Sequence, residues 1–343
     1  MTSVNISIAC GDYDRVRAIK ERRVPVDGCE VTFIPMGPEE LFFRALRYAE
    51  FDVAELSFNS YMMLTARGEC PYVAIPVFPS RMFRHSAVYI RTDCGIEKPE
   101  DLKGRVVGVP EYQQTANVWM RGILAEEYGV RDSDIHWRTG GQEEPGRDER
   151  TPLSPPPGVD IAPIPADRYL SEMMLAGEID AFMTARAPSV WLDRRPNIAR
   201  LWPDYMTVER DYYRRTGIFP IMHLVGVRRD VVEKHNWLPA SLLKAFTAAR
   251  DIALAELPEV AALNVTLPWI DVFQAEVQSF MGADYWRYGI DDCRHEIETL
   301  IRYSVDQGLL ARPLTVEDIF HPADGDEVDP HSQHGLGGYC FFH

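Results

Sequence analysis

Hydrophobic and polar positions follow two rhythms in the first seventy residues. VNISIA (4–9), CEVTFIPM (29–36) and FDVAELSF (51–58) are short apolar runs of the kind that form strands. Between and after them, GDYDRVRAIKE, GPEELFFRALRYAE and NSYMMLTARG return apolar residues at helical spacing. This β-α-β-α-β order predicts an α/β fold with a mostly parallel sheet covered by helices. YVAIPVFP and HSAVYIR follow as two further extended runs.

The alternation restarts at KPEDLKGRVVGVPEYQQTANVWMRGILAEEYG, which reads as a turn, a strand and a long helix. DIHWRTG is another strand, and GEIDAFMTARAP is a helix end leading into a strand. The Pro-rich, charged GGQEEPGRDERTPLSPPPG between them reads as a long surface loop. The chain returns through GIFPIMHLVGVRRDVV to helices near 238–263 and 270–310. From about residue 321 the periodicity stops, which predicts a flexible or peripheral tail. The expected layout is two lobes around a central ligand cleft. Lobe I is discontinuous, 1–90 and 205–320; lobe II is 91–204; the tail is 321–343. A hinge is expected where the chain crosses, near 85–92 and 205–225.

In open α/β sheets, ligands bind beyond the carboxyl ends of the strands. That singles out Cys10–Asp14, Ser57–Ser60, Ser80–His85, Glu111–Thr115, Thr139–Gly141, Thr184–Ser189 and His223. FPSRMFRHSAVYIR (78–91) is the odd segment, because Arg81, Arg84, His85 and Arg91 stand among residues that otherwise read as buried strand. Such cations need a negative partner, from the chain or from a ligand.

Charge sharpens the question. The 343 residues carry 52 acidic against 36 basic side chains, a formal net charge of −16. Broad binding to nucleic acid or to an anionic membrane needs a basic field, so both are expected to be absent. A small anion held by a local cluster is not excluded. No run approaches eighteen consecutive apolar residues, and the N-terminus lacks a signal-peptide pattern. Six scattered cysteines without a CxxC pair fit reduced thiols. These features predict a cytoplasmic protein. A homo-oligomer is compatible with them but not required.

ISIACGDYDR, FDVAELSFNSYM, IPVFPSRMFRHSAVYIR, DLKGRVVGVPEYQQTANVWMRGIL and IDAFMTARAPS together resemble the 4,5-dihydroxyphthalate decarboxylases over about residues 5–320. DLKGRVVGVP alone is shared with many solute-binding proteins; its combination with PSRMFRHS and EYQQTANVW is more specific. The resemblance implies a two-lobed type II periplasmic-binding-protein-like fold used as a cytosolic enzyme. It implies conversion of 4,5-dihydroxyphthalate to protocatechuate and carbon dioxide in phthalate degradation. A non-catalytic binding protein for an aromatic carboxylate is the alternative.

Direct loss of carbon dioxide would leave an aryl carbanion in the ring plane, without π stabilisation. A hydroxyl para to the departing carboxylate gives an easier route. Deprotonation there pushes electrons to the ipso carbon, which takes a proton before carbon dioxide leaves. The chemistry asks for a base, an acid and cations for the other carboxylate, and demands no cofactor or metal. Histidine suits the proton transfers, and arginine's planar fork suits the carboxylate.

The candidates for catalysis are His85, His223 and Glu111; for binding the aromatic dicarboxylate they are Arg81, Arg84, Arg186, Ser57, Thr115, Tyr112 and Glu55. By strand alternation Arg81 and His85 share a face and Arg84 points away. Glu55 either orients a histidine or pairs with Arg81, and Thr115 either caps a helix or contacts a carboxylate. Arg186 either clamps substrate or bridges the lobes. Glu111 and Tyr112 either serve as base and phenol contact or form a solvated turn. Asp12 either accepts a phenol proton or serves as a turn or cap residue, and Arg91 reads as paired with an acidic neighbour. Trp119 and Trp137 are expected to pack inside the second lobe. The tail histidines His321, His331, His334 and His343 lack a metal-ligand framework.

Overall fold

The computed structural model describes residues 3–146 and 149–321. Strands β1 (Val4–Cys10), β2 (Cys29–Pro35), β3 (Val53–Ser57) and β4 (Tyr72–Arg81) occupy the first part of the chain. β5 (Val88–Arg91), β6 (Val106–Val109), β7 (His136–Thr139), β8 (Asp160–Pro163), β9 (Ala181–Met183) and β10 (Ile198–Arg200) come next, and β11 (Ile221–Arg228) closes the series. They form two sheets, ordered β2-β1-β3-β11-β4 and β10-β5-β9-β6-β7-β8.

β1 runs parallel to β2 and β3, as connections through helices require. β11 lies antiparallel between β3 and β4, and β5 lies antiparallel to β9 and β10. The sheets are therefore mixed rather than mostly parallel. Hydrophobic period reports that a strand exists but not its direction; β11 re-enters the first sheet after the second is complete, and from the opposite end. β8, β10 and the helix Leu170–Ala176 had no separate place in the pattern reading, each being short.

Apolar side chains of both sheets contribute to one large core, which includes Ile8, Leu56, Phe58, Phe78, Val109 and Leu224, while Tyr89, Leu170, Phe182 and Val190 pack in a smaller separate cluster on the second sheet. The helix Ile290–Asp306 packs closely on Thr115–Tyr128. A Cβ on Gly122 would meet the Tyr303 ring at 2.1 Å, so the approach requires a glycine. Trp137 is buried against Tyr112 within the second lobe. Trp119 does not stay there: its indole N–H donates to the Ile221 carbonyl of β11 at 2.9 Å and ties the lobes together. Residues 140–158 are irregular where described, but they are not only surface, since Thr151 is 4% exposed. Phe320 bridges Ala74, and the His321 N–H donates to the Ala74 carbonyl. The tail beyond, with His331, His334 and His343, lies outside the described residues.

Candidate active site

The ends of the inner strands and the starts of the helices that follow them line a cleft of about 830 Å³. Its floor is a meeting of two helix N-termini, Phe58–Arg67 and Thr115–Tyr128. Neither helix is capped by its own preceding residue, Ser57 or Gln114. Instead Thr115 Oγ1 accepts the Asn59 N–H at 3.0 Å, so a side chain of the second helix caps the first. Ser57 Oγ and Thr115 Oγ1 stand 3.0 Å apart, and Ser60 Oγ donates to Gln113 Oε1 at 2.7 Å. Both helix dipoles bring positive potential to this floor, where a carboxylate gains most from it.

β11 places His223 directly opposite Ser57, and Glu55 is two residues earlier on the same face of β3. His223 Nδ1 lies 2.6 Å from Glu55 Oε1. The fully buried carboxylate also accepts from the Tyr13 hydroxyl at 2.8 Å, the Gly11 N–H at 2.8 Å and the Cys10 thiol at 3.4 Å. Burial alone would push the Glu55 carboxyl up. The hydrogen bond and charge of His223, with the Gly11 and Tyr13 donors, outweigh it and hold the carboxyl below its ordinary range. His223 Nε2 has no hydrogen-bond partner among the described residues and His223 lines the cleft, where Phe42 meets its ring edge-on at 4.8 Å.

Arg84 also lines the cleft. It is 8% exposed and forms no ion pair among the described residues. Its Nε approaches the Met222 sulfur at 3.1 Å, which sets it next to His223. Burial lowers its pKa to about 10, against the raising effect of Glu209, so it stays charged at neutral pH. Arg186 lines the cleft, is exposed, and reaches Glu39, another lining residue, at 3.3 Å. Glu111 is buried and lines the cleft, with Arg150 Nε at 2.7 Å and Gln113 Nε2 at 2.8 Å.

Three expectations are corrected. Arg81 does not face the cleft. It is 4% exposed, bonded to the carbonyls of Phe219 and Arg287, to Cys293 Sγ and, at 3.4 Å, to Glu296. Its negative partner is the chain itself. His85 is 2% exposed and wedged against Trp202 and Tyr212, apart from the cleft lining. Burial, helped by Arg215, pushes it down to about 4. Alternation separates Arg84 from Arg81 and His85 but does not say which side meets the cleft, and β4 ends at Arg81 before His85 starts a short 3-10 turn. Arg84 faces the cleft and its two neighbours do not. Tyr112 is fully buried, stacked on Arg121 at 3.6 Å and bonded through its hydroxyl to Asp132, so it is no phenol contact and no solvated turn.

Of Glu55's two alternatives, the structure shows the contact with a histidine. Asp12 pairs with Lys20, and Arg91 with Asp93. Among the described residues no group of three or more His, Cys, Asp or Glu side chains is arranged to hold a metal ion. No helix among them is long and apolar enough to cross a membrane, and their five cysteines are free. Sequence reasoning missed Tyr13 and Arg150. Tyr13 lies in a segment already singled out, where carboxylates drew attention; Arg150 lies in the irregular loop, which carries no periodic signal.

No family model matches the chain. It is 45% identical over 323 residues to a 4,5-dihydroxyphthalate decarboxylase from Comamonas testosteroni, covering 94% of this chain and 98% of the relative. A 4,5-dihydroxyphthalate decarboxylase from Pseudomonas putida is 47% identical over 214 residues, covering 62% of this chain and 83% of the relative. Among solved structures, the periplasmic sulfonate-binding protein SsuA from Methylobacillus flagellatus aligns with a TM-score of 0.54 at 14% identity, covering 94% of this chain and 92% of that one. The periplasmic aliphatic sulphonate binding protein SsuA from Escherichia coli aligns with a TM-score of 0.51 at 15% identity, covering 93% and 97%. Likeness at such identities concerns the fold alone, and the fold is periplasmic-binding-protein-like.

Proposed function

The chain belongs to the 4,5-dihydroxyphthalate decarboxylase family, and from that premise we propose that it removes one carboxyl group of 4,5-dihydroxyphthalate as carbon dioxide, leaving 3,4-dihydroxybenzoate. It is an enzyme of the carboxy-lyase kind, acting in phthalate degradation. The observation that carries the reading is the adjacency, in one cleft, of Arg84 without an ion pair and of the His223–Glu55 pair.

Arg84 and the two helix N-termini hold the carboxylate that stays. His223 Nδ1 lies against the buried Glu55 carboxylate, which fixes the imidazole and leaves Nε2 as the atom that delivers a proton to the ring. The hydroxyl para to the departing carboxylate gives its proton to a base, for which Glu111 is the candidate. Electrons move through the ring to the ipso carbon, which forms a C–H bond with the His223 proton. The carbon–carboxylate bond then breaks, its electrons restore the aromatic ring, and carbon dioxide leaves. The phenol recovers its proton from the base and His223 recovers one from solvent, so each turnover consumes one proton.

The test is incubation of the purified protein with 4,5-dihydroxyphthalate in deuterium oxide. One equivalent of carbon dioxide and 3,4-dihydroxybenzoate carrying deuterium at the vacated carbon are expected. Tight binding without turnover would instead make the protein a carrier of aromatic carboxylates.

A further inference from the structure

Tyr13 lines the cleft and reaches the carboxylate that backs His223. Its hydroxyl donates to Glu55 Oε1, the same oxygen that meets His223 Nδ1. Gly11 makes room for this reach: a Cβ there would lie 2.6 Å from the Tyr13 ring, while the Gly11 N–H donates to Oε2. The ring also carries the Arg15 guanidinium 4.1 Å from its centroid. Arg15 is in turn fixed by the Pro79 carbonyl at 2.6 Å and the Trp286 ring at 4.2 Å. Tyr13 is therefore held from both neighbours, and its hydroxyl is aimed at one atom.

We infer that Tyr13 is a positioning residue for His223, sharing the negative charge of Glu55 Oε1 and so setting how firmly Glu55 holds a proton on the imidazole. An oxygen that accepts two donors offers each less than it would offer one alone. Removing the phenolic donor leaves the full charge to Nδ1–H and strengthens the imidazolium. Two other donors, the Gly11 N–H and the Cys10 thiol, sit on the opposite oxygen, Oε2, so among the described residues Tyr13 alone shares Oε1 with His223. Cys10 is buried beside Glu55, and both burial and that carboxylate push its thiol well up, so it stays neutral. Arg15 acts to lower the pKa of both Cys10 and Tyr13, and Tyr288 interacts with Cys10 and Arg15 rather than with Tyr13. Arg84 and Glu111 line the cleft without a bond to the imidazole.

The consequence for catalysis rests on the role proposed for His223; the coupling itself does not. Two variants isolate it. Tyr13→Phe keeps the ring and its Arg15 contact and removes only the hydroxyl. Gly11→Ala keeps the hydroxyl but forces the ring to swing away, since the clash is with the far end of the Tyr13 side chain. The His223 ring nitrogens are followed by NMR against pH, alongside kcat/KM. Both variants are expected to raise the His223 midpoint by about 0.5–1 unit, roughly a three- to tenfold gain in proton affinity. The basic limb of kcat/KM should move by the same amount. An unmoved His223 titration in Tyr13→Phe overturns the inference. A moved titration with an unmoved rate limb upholds it and removes His223 from the proposed proton transfer.

Discussion

Nη1 of Arg81 lies 3.4 Å from Oε1 of Glu296, and both side chains are almost free of solvent. A cation that the sequence suggests for a ligand is thus spent on the fold. Glu296 also meets Arg287 at 2.8 Å, so the carboxylate keeps one partner when Arg81 is lost. Arg81→Leu is expected to destabilise by about 3 kcal/mol, near the lower end for breaking a buried pair. Urea unfolding checks this. KM measured on the folded fraction should stay close to the parent value, because Arg81 does not line the cleft.

The two histidines separate cleanly by location. His223→Gln is expected to lower kcat by about 10²-fold or more with KM little changed, as loss of a proton carrier requires. His85→Gln is expected to leave kcat within about threefold, because His85 touches Trp202 and Tyr212 rather than the cleft. Steady-state kinetics of the pair decide it; a kcat loss confined to His85→Gln would reverse the assignment.

His85 should instead show in the pH dependence of stability. Its folded value is depressed to about 4 from an ordinary 6.5. A histidine that stays neutral when folded binds its proton more readily unfolded. Stability from this source is complete above about pH 6.5 and is lost as pH falls toward 4. The loss amounts to roughly 2–3 kcal/mol. His85→Phe should flatten this part of the profile of unfolding free energy between pH 4 and 6.5. An identical slope in both proteins would place the titration elsewhere.

Legibility followed the length of each regular element. Long periodic stretches such as 38–48 and 115–128 announced their helices, and Ser57, Thr115, Arg84, Glu111 and His223 lie at the cleft because strand ends point there. Alternation sets Arg84 apart from Arg81 and His85 but not which side meets the cleft, and it lapses altogether where β4 stops at Arg81. The Glu55–His223 contact was half legible. Glu55 was expected to meet a histidine or Arg81, but 168 residues separate it from His223, and no local pattern gives the register of β11 against β3. Arg150 pairs with Glu111 from a loop whose path only tertiary contacts define.

Activity is expected to survive exhaustive chelation. The cleft's donors are mostly hydroxyls, amides and guanidiniums, and among the described residues its carboxylates and imidazole do not cluster at metal-binding spacing. Assays after dialysis against EDTA should retain full kcat. Loss restored by one divalent cation would require a different account of how the ring is activated.

Arg84 offers a test of which carboxylate it holds. If it binds the carboxylate that stays, its contact is the same in substrate, transition state and product. Removing it then weakens all three alike, so KM rises while kcat is kept. A hydrogen-bonded charge pair of this kind is worth about 1.5–3 kcal/mol, or roughly 10–150-fold in affinity. Arg84→Met should therefore raise KM by that factor. It should also raise the inhibition constant of 3,4-dihydroxybenzoate equally, because the product retains that carboxylate. If Arg84 instead holds the carboxylate that leaves, the product has nothing there to lose. KM would then rise with product inhibition unchanged, and Arg84 would have to be reassigned to the departing group.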